Sequence, residues 1–232
     1  MPAPAVMWRA VADSAHGGAM TATLPLHPAE LLPPDATLQT ARLAAFGCRA
    51  CELWEQATQT VFGEGRARAR LALVGEQPGD QEDRAGEPFV GPAGRILDQA
   101  LATAGIDRES VFLTNVVKHF RWRPSGKRRL HERPNASHVK ACRPWLDLEL
   151  EIVRPHVVVA LGATAAQAII DPGFKVTTDR GVILEPVTRN GPKLLATIHP
   201  SAVLRVRSSE ERAESLRLLA GDLATAATAA KG

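Results

Sequence analysis

The run Lys127-Arg128-Arg129-Leu130-His131 places an imidazole close behind three basic side chains. It follows Ser125-Gly126, a pair that is typical of a surface loop. Basic side chains bind the phosphates of a polyanion, and a neutral imidazole can act as a nucleophile. The run therefore predicts a loop on which a polyanion docks and which carries a group able to react with it.

Basic residues are concentrated around this loop. The whole chain has 28 Lys+Arg against 25 Asp+Glu, which is a small excess. Between Lys118 and Arg143, however, nine residues are Lys or Arg and Glu132 is the single acid. Such a stripe is typical of phosphate binding. The alternative is a solvated basic face that binds nothing.

Bulk composition narrows the class of protein. Apolar residues make up 45% and charged residues 23%, which are ordinary values for a globular domain. No apolar run approaches the length of a membrane-spanning helix, and the first residues lack the order of a signal peptide. Three cysteines are an odd number, which disfavours structural disulfides. We therefore expect a soluble, cytoplasmic protein.

Short apolar runs alternate with helical patterns after an Ala- and Pro-rich start. We expect residues 1–35 to be a disordered leader and 36–232 to be a single domain. The predicted strands are Leu71–Gly75, Val111–Val117, Val157–Leu161 and Leu194–Ile198. The predicted helices are Gly94–Ala104, Ala136–Val153, Ala163–Ile170 and Glu210–Ala230. This alternation predicts an α/β three-layer sandwich around a mainly parallel four-stranded sheet.

Ligands of such sheets gather at the carboxyl ends of the strands. Glu76 lies in the glycine-containing turn after the first strand, Asn115 ends the second, and His199 follows the fourth. Taken singly, each has an ordinary structural alternative, namely a surface turn, a turn-closing Asn and a structural His. Together with Phe89, in the loop after the first strand, they predict one site on one rim of the sheet.

The cysteines predict a second site. Cys48 and Cys51 form a CxxC pair, and Cys142 lies far along the chain. A redox pair is disfavoured because no strand precedes the motif, so we expect a metal site. His119 is the candidate fourth ligand. Spacing leaves zinc and an iron–sulfur cluster both open, and three cysteines with one histidine nominally favour zinc.

Four motifs together resemble the iron–sulfur branch of the uracil-DNA glycosylase superfamily, in order and in spacing, over Cys48 to Arg205. They are GEQPGDQED at 75–83, PFVGPAGR at 88–95, TNVVKH at 114–119 and HPSAVLR at 199–205. Two features depart from that branch, which has a cysteine in place of His119 and lacks the KRRLH loop. Both departures resemble the UdgX group, whose loop histidine bonds covalently to DNA.

This resemblance implies a [4Fe–4S] cluster and a uracil pocket. The implied cluster ligands are Cys48, Cys51, His119 and Cys142. In the implied pocket Phe89 stacks on uracil and Asn115 pairs with its Watson–Crick edge. The remaining implied pocket residues are Gly75, Gln77, Gly79 and Asp80, and the implied phosphate contacts are Lys127, Arg128 and Arg129.

The resemblance also implies a DNA-repair reaction. His199 would stabilise the departing uracil anion, His131 would capture C1′ of the abasic sugar, and Glu76 would orient the His131 ring. Each molecule would then react once. The expected partner is uracil-containing DNA, with single strands preferred, and the protein is expected to be a monomer. The alternatives are a multiple-turnover glycosylase that releases abasic DNA and a non-catalytic, metal-stapled DNA-binding module.

Overall fold

The computed structural model describes residues 36–186, 188 and 191–231. The expected leader, residues 1–35, lies outside the described residues. Within the described ranges, no helix combines the length and apolar character needed to cross a membrane.

The strands and helices alternate along the chain. The strands are β1 (Glu64–Gly65), β2 (Leu71–Gly75), β3 (Phe112–Asn115), β4 (Trp122–Ser125), β5 (Arg128–His131), β6 (Val157–Leu161) and β7 (Lys193–Thr197). The helices are α1 (Leu38–Ala45), α2 (Asp80–Ala85), α3 (Pro92–Thr103), α4 (Ala136–Val153), α5 (Ala163–Ile169), α6 (Val176–Asp179), α7 (Pro200–Arg205) and α8 (Ser209–Lys231). Short 3₁₀ turns cover Glu52–Glu55 and Arg108–Ser110.

The central sheet has the strand order β1-β3-β2-β6-β7. Strands β3, β2, β6 and β7 are parallel to their neighbours and correspond to the four predicted strands. The α/β fold class is therefore confirmed. The difference is β1, a two-residue antiparallel edge strand. A strand that short has no side-chain periodicity for a sequence pattern to show.

Alternating side chains of the buried strands point to opposite faces of the sheet. Leu71 and Leu73 of β2 belong to one apolar cluster, which also contains side chains of α3 and α8. Ala72 and Val74 belong to the cluster on the other face, which contains side chains of α4 and α5. The sheet is therefore covered on both faces, as expected for three layers, and its strand ends remain available to bind a ligand.

The predicted basic loop is instead a two-stranded hairpin formed by β4 and β5. Gly126, at φ 57°, begins its two-residue turn, the position at which tight hairpin turns favour glycine. Both strands are largely exposed and polar, and β4 contains Pro124. Because of these features, neither strand shows the apolar alternation from which a strand is predicted. The pairing places His131 opposite Trp122 at the open end of the hairpin.

Candidate active site at the carboxyl ends of the parallel strands

Gly75 lies between two predicted pocket residues, Asn115 and Phe89, at the centre of the site. It ends β2 in register with Asn115, which ends β3. A Cβ atom on Gly75 would lie 2.4 Å from Asn115 Oδ1 and 2.7 Å from Phe89 Cζ. Only glycine leaves this space open. The structure thus brings the predicted stacking and base-pairing residues together over one backbone position.

Phe89 is held in a strained backbone conformation. Its φ is 57°, a left-handed value that is unusual for an aromatic residue. The Arg108 guanidinium donates a hydrogen bond to the Phe89 carbonyl at 3.1 Å and pairs with Asp98. A Cβ on Gly94 would lie 1.8 Å from that same carbonyl. Strain that the surroundings hold in this way is typical of functional positions.

His199 caps the N-terminus of α7, and this role decides which ring nitrogen carries the proton. Its Nδ1 accepts a hydrogen bond from the backbone amide of Ser201 at 3.1 Å, so the neutral ring is protonated at Nε2. Burial of the ring, together with the nearby charges of Arg205 and His131, lowers the pKa of His199 to about 4. At neutral pH the residue is therefore an uncharged donor.

His131 lies on the rim, opposite Glu76. The distance from His131 Nε2 to Glu76 Oε1 is 3.5 Å, slightly longer than a normal hydrogen bond. Burial lowers the pKa of His131, an effect that Glu76 opposes and Arg205 reinforces. Nearly half of the side chain, 48%, remains exposed. The ring is therefore both neutral at neutral pH and open to an incoming ligand.

Glu76 has two further partners, which sequence reasoning missed. The Thr164 hydroxyl donates a hydrogen bond to Glu76 Oε2, and Arg133 Nε lies 3.7 Å from the same oxygen. Thr164 follows β6 and sits in the first turn of α5. It therefore occupies the carboxyl end of the third predicted strand, a place that the sequence marks with no residue typical of chemistry.

Arg129 and Asp80 form an ion pair with each other. Only 13% of the Arg129 side chain is exposed, and it pairs with Asp80 and, at 2.7 Å, with the buried Asp83. Its guanidinium also lies 5.4 Å from the rings of Phe120 and Trp122. These contacts hold the hairpin against α2. Within the basic run, Lys127 and Arg128 are the exposed cations.

The buried Gln77 uses its side-chain amide on the hairpin. Its Nε2 donates to the carbonyls of Arg121 and Glu132 at 3.1 and 3.0 Å, and its Oε1 accepts from the Arg121 amide at 3.2 Å. Gln77 therefore joins the turn after β2 to the base of the hairpin. Its neighbour Gly79 begins α2, and the Gly79 amide donates to Glu82 Oε2.

Two of the cysteines lie in contact. The neighbouring Cys142 thiol lowers the pKa of Cys51 to about 7, whereas Cys51 and burial raise the pKa of Cys142. The backbone amide of Lys118 donates to Cys142 Sγ at 3.5 Å. The CxxC loop is thereby joined to α4 and to the segment after β3.

His119 and Cys48 lie around a common carbonyl. The Thr60 hydroxyl donates to the Ala45 carbonyl at 3.1 Å and lies 2.9 Å from His119 Nε2. Cys48 N donates to the same carbonyl at 3.0 Å. Since the hydroxyl proton goes to Ala45, His119 donates from Nε2, and its Nδ1 keeps a lone pair for a ligand.

The chemistry of these donors fits a metal centre, although the side chains do not enclose one. Cys142 lies in α4, and Cys51 and Cys48 pack into apolar clusters that contain α4 side chains. The buried Trp145 Nε1 finds no hydrogen-bond partner among the residues that the structure describes, and Trp145 belongs to the same apolar cluster as Cys48. An orphaned donor of this kind suits a nearby anionic sulfur. Among the described residues, however, no three His, Cys, Asp or Glu side chains form a group that could hold a metal ion.

Comparison with known proteins identifies the family. The sequence profile of the uracil DNA glycosylase superfamily matches residues 62–222. The chain is 43% identical over 167 residues to a Type-4 uracil-DNA glycosylase of Thermotoga maritima, covering 71% of this chain and 82% of the relative. It is 41% identical over 174 residues to the Type-4 enzyme of Archaeoglobus fulgidus, covering 72% and 83%.

The chain therefore belongs to the uracil DNA glycosylase superfamily. The superfamily that the four motifs predicted is confirmed. The narrower UdgX-type features stay a prediction.

Proposed function

We propose that this protein excises uracil from DNA and that His131 then forms a covalent bond with C1′ of the abasic sugar. Similarity to Type-4 uracil-DNA glycosylases supports the excision step. The observation that carries the capture step is the half-exposed His131 ring, which faces Glu76 at 3.5 Å on the rim that also holds Asn115 and His199.

Phe89 and Asn115 recognise the base. Uracil leaves the base stack and enters the pocket, where the Phe89 ring stacks on it with a contribution of about 1–3 kcal/mol. The side-chain oxygen Oδ1 of Asn115 accepts a hydrogen bond from uracil N3–H, and the side-chain amide nitrogen donates to O4. Cytosine reverses this pattern and would leave buried polar groups unpaired, which a hydrogen-bonding site rejects by roughly 10⁴-fold.

Bond cleavage depends on His199. As the bond between C1′ and the base breaks, its electron pair moves onto uracil, which becomes an anion. The neutral His199 ring donates from Nε2 to O2 and stabilises this charge by about 3 kcal/mol, as one donor of an oxyanion hole does. The neutral ring already carries the Nε2 proton that it donates in this hydrogen bond, so it needs no positive charge. This is consistent with the lowered pKa of His199.

Capture depends on the neutral form of His131. The lone pair of one ring nitrogen forms the new bond to the cationic C1′, and the ring becomes an imidazolium. The other nitrogen keeps its proton, and the Glu76 carboxylate stabilises the positive charge that results. Because the nucleophile is consumed, each protein molecule reacts once.

A denaturing gel tests both steps on uracil-containing single-stranded DNA. We expect a band retarded by the mass of the DNA, and we expect His131→Ser to abolish that band while still releasing uracil. His156→Ser is the matched control, because His156 is exposed at the opposite end of β6. Free abasic DNA from the unaltered protein would indicate a multiple-turnover glycosylase. Binding that ignores uracil and is lost in detergent would indicate a non-catalytic module.

We also propose that Cys48, Cys51, His119 and Cys142 hold a [4Fe–4S] cluster with a structural role. Such a cluster would join the CxxC loop to α4 and to the segment after β3 that leads into the hairpin. Iron and sulfide analysis of the purified protein, which we expect to be brown, tests this. We expect Cys142→Ser to lose the cluster and His119→Cys to keep it. Zinc in a colourless protein would contradict the proposal.

The remaining proposals concern the partner. The exposed Lys127 and Arg128 at the hairpin tip supply phosphate contacts, and single strands are preferred because no base pair has to be opened. We further propose that the protein is a cytoplasmic monomer. Equal rates on single and double strands would contradict the strand preference, and a dimer mass in solution would contradict the monomer.

A further inference from the structure

Thr164 is a buried polar residue close to Glu76, and it has no role in the reaction proposed above. It is 7% exposed and lies in the first turn of α5, directly beyond β6. Its hydroxyl donates to Glu76 Oε2, across 88 residues of sequence. Its position at a strand end and its contact with the carboxylate facing His131 make it a candidate positioning residue for that carboxylate.

The direction of its hydrogen bonds follows from chemistry. Arg133 Nε donates to Thr164 Oγ1 at 2.9 Å, and a guanidinium has no acceptor. The Thr164 oxygen is therefore the acceptor in that contact, and its single proton is free to go to Glu76. A chain of donation runs from Arg133 through Thr164 to Oε2 of the carboxylate.

This chain leaves Oε1 of Glu76 for His131. Arg133 Nε lies 3.7 Å from Oε2 as well, so both partners act on the same oxygen. The other oxygen faces the His131 ring at 3.5 Å. Without these partners the Glu76 side chain would be free to rotate toward other cations of the basic rim.

The same contacts also anchor the strand that carries His131. Arg133 follows β5 by two residues, and its carbonyl accepts from the Arg121 side chain at 2.8 Å. Its guanidinium also reaches Gln167 of α5. The interaction between Arg133 and Thr164 therefore links the chain segment that carries His131 to α5, whose Thr164 hydroxyl binds the Glu76 carboxylate.

We propose that Thr164 and Arg133 are positioning residues that hold Glu76 Oε1 toward His131, and that they govern capture of the sugar separately from release of uracil. This inference rests on the proposed function. Uracil release uses Phe89, Asn115 and His199, none of which contacts Thr164 through a hydrogen bond in the described part of the chain. Loss of the hydroxyl is therefore expected to affect capture alone.

Thr164→Val and Thr164→Ser form a matched pair for the test. Valine keeps the shape and removes the hydroxyl, whereas serine keeps the hydroxyl. Uracil release and adduct formation are measured in the same single-turnover samples on a uracil-containing oligonucleotide. We expect Thr164→Val to slow the adduct by about tenfold or more, as small misplacements of reacting groups do, with release within about twofold and with abasic DNA accumulating. Thr164→Ser is expected to behave like the unaltered protein.

Three results would overturn the inference: capture by Thr164→Val at the unaltered rate, release and capture falling together, or a serine variant as slow as the valine variant. Glu76→Gln combined with Thr164→Val should capture no more slowly than Glu76→Gln alone, since Thr164 acts through Glu76. If Thr164→Val fails to fold, the exposed Arg133→Met gives the same comparison. An unaltered protein that releases uracil without any adduct would instead refute the capture step itself.

Discussion

Two imidazoles of the site are neutral for partly different reasons. His199 is buried and accepts a backbone hydrogen bond through Nδ1, so it serves as a donor. His131 sits on the rim, where burial and Arg205 lower its pKa and Glu76 opposes them. One residue is suited to hold an anion, and the other keeps a lone pair available for attack.

Capture should depend on pH in a defined direction. A protonated His131 has no lone pair, so the rate of adduct formation should fall as the pH decreases through the pKa of this residue. That pKa lies below the usual 6.5, because burial and Arg205 outweigh Glu76. We therefore expect a constant capture rate from neutral pH upward and a decline only in acid, measured by single-turnover gels. A rate that still increases above neutral pH would contradict this assignment.

The pocket floor makes a second prediction at the residue scale. Gly75→Ala introduces a Cβ that would lie 2.4 Å from Asn115 Oδ1 and 2.7 Å from Phe89 Cζ. Both base contacts should be displaced, and we expect uracil release to fall by about 10²-fold or more. Gly221→Ala is the control, since a Cβ added to this glycine of α8 would meet no described atom within 4 Å beyond its own helix backbone. Normal excision by Gly75→Ala would show that uracil binds elsewhere.

At the scale of elements, the hairpin depends on contacts outside itself. A two-stranded hairpin alone is marginally stable in water. Here Arg129 joins β5 to α2 through ion pairs with Asp80 and Asp83. Gln77 joins the base of the hairpin to the turn after β2. The hairpin is therefore held at the rim in the orientation that brings His131 near Glu76.

Arg129→Gln should release this hairpin. It leaves the fully buried Asp83 without its charged partner, and we expect a loss of about 2 kcal/mol in the free energy of unfolding. Capture should suffer more than uracil release, because His131 moves with the hairpin. Arg128→Gln, at the exposed neighbouring position, should leave stability unchanged and reduce the salt dependence of DNA binding by about one phosphate contact. Equal stabilities of the two variants in urea would contradict the anchoring role of Arg129.

At the scale of the whole molecule, a buried ion pair joins the sheet, helix α4 and the cysteine region. The side chains of Lys118 and Glu149 are 1% and 0% exposed and pair at 2.7 Å. Lys118 Nζ also donates to the Asn115 carbonyl at 2.6 Å, and Glu149 accepts from Gly63 N at 2.7 Å. The backbone of Asn115, the proposed base-pairing residue, is thus held by a network that extends to Cys142 through the Lys118 amide.

Breaking one half of this pair should be worse than removing both halves. Lys118→Met leaves an unpaired carboxylate in the core, and we expect a cost of about 3–5 kcal/mol, because a buried charge without its partner is strongly unfavourable. Lys118→Met combined with Glu149→Leu should recover much of that loss. Denaturant unfolding of both single variants and the double variant measures the coupling. A double variant less stable than either single variant would contradict this account.

Much of the scaffold was predictable from local patterns. β2, β6 and α4 have the predicted bounds, because their apolar periodicity and flanking turn residues are local signals. α2 and α7 were missed as helices, since each is a short segment of six residues within a motif that resembles a turn. The two strands of the hairpin were missed because an exposed, proline-containing strand has no apolar alternation.

The sequence by itself determined the layered α/β scaffold, the superfamily and the strand ends at which the chemistry lies. Only the tertiary structure decided what each polar side chain contacts. The resemblance implied that Gln77 and Asp80 line the base pocket and that Arg129 contacts phosphate. It gave no sign that Gln77 binds the hairpin or that Arg129 pairs with Asp80, and Thr164 had no signal at all. The reason is physical: periodicity is set by neighbours along the chain, whereas a side chain's partners come from distant segments that meet only when the core packs.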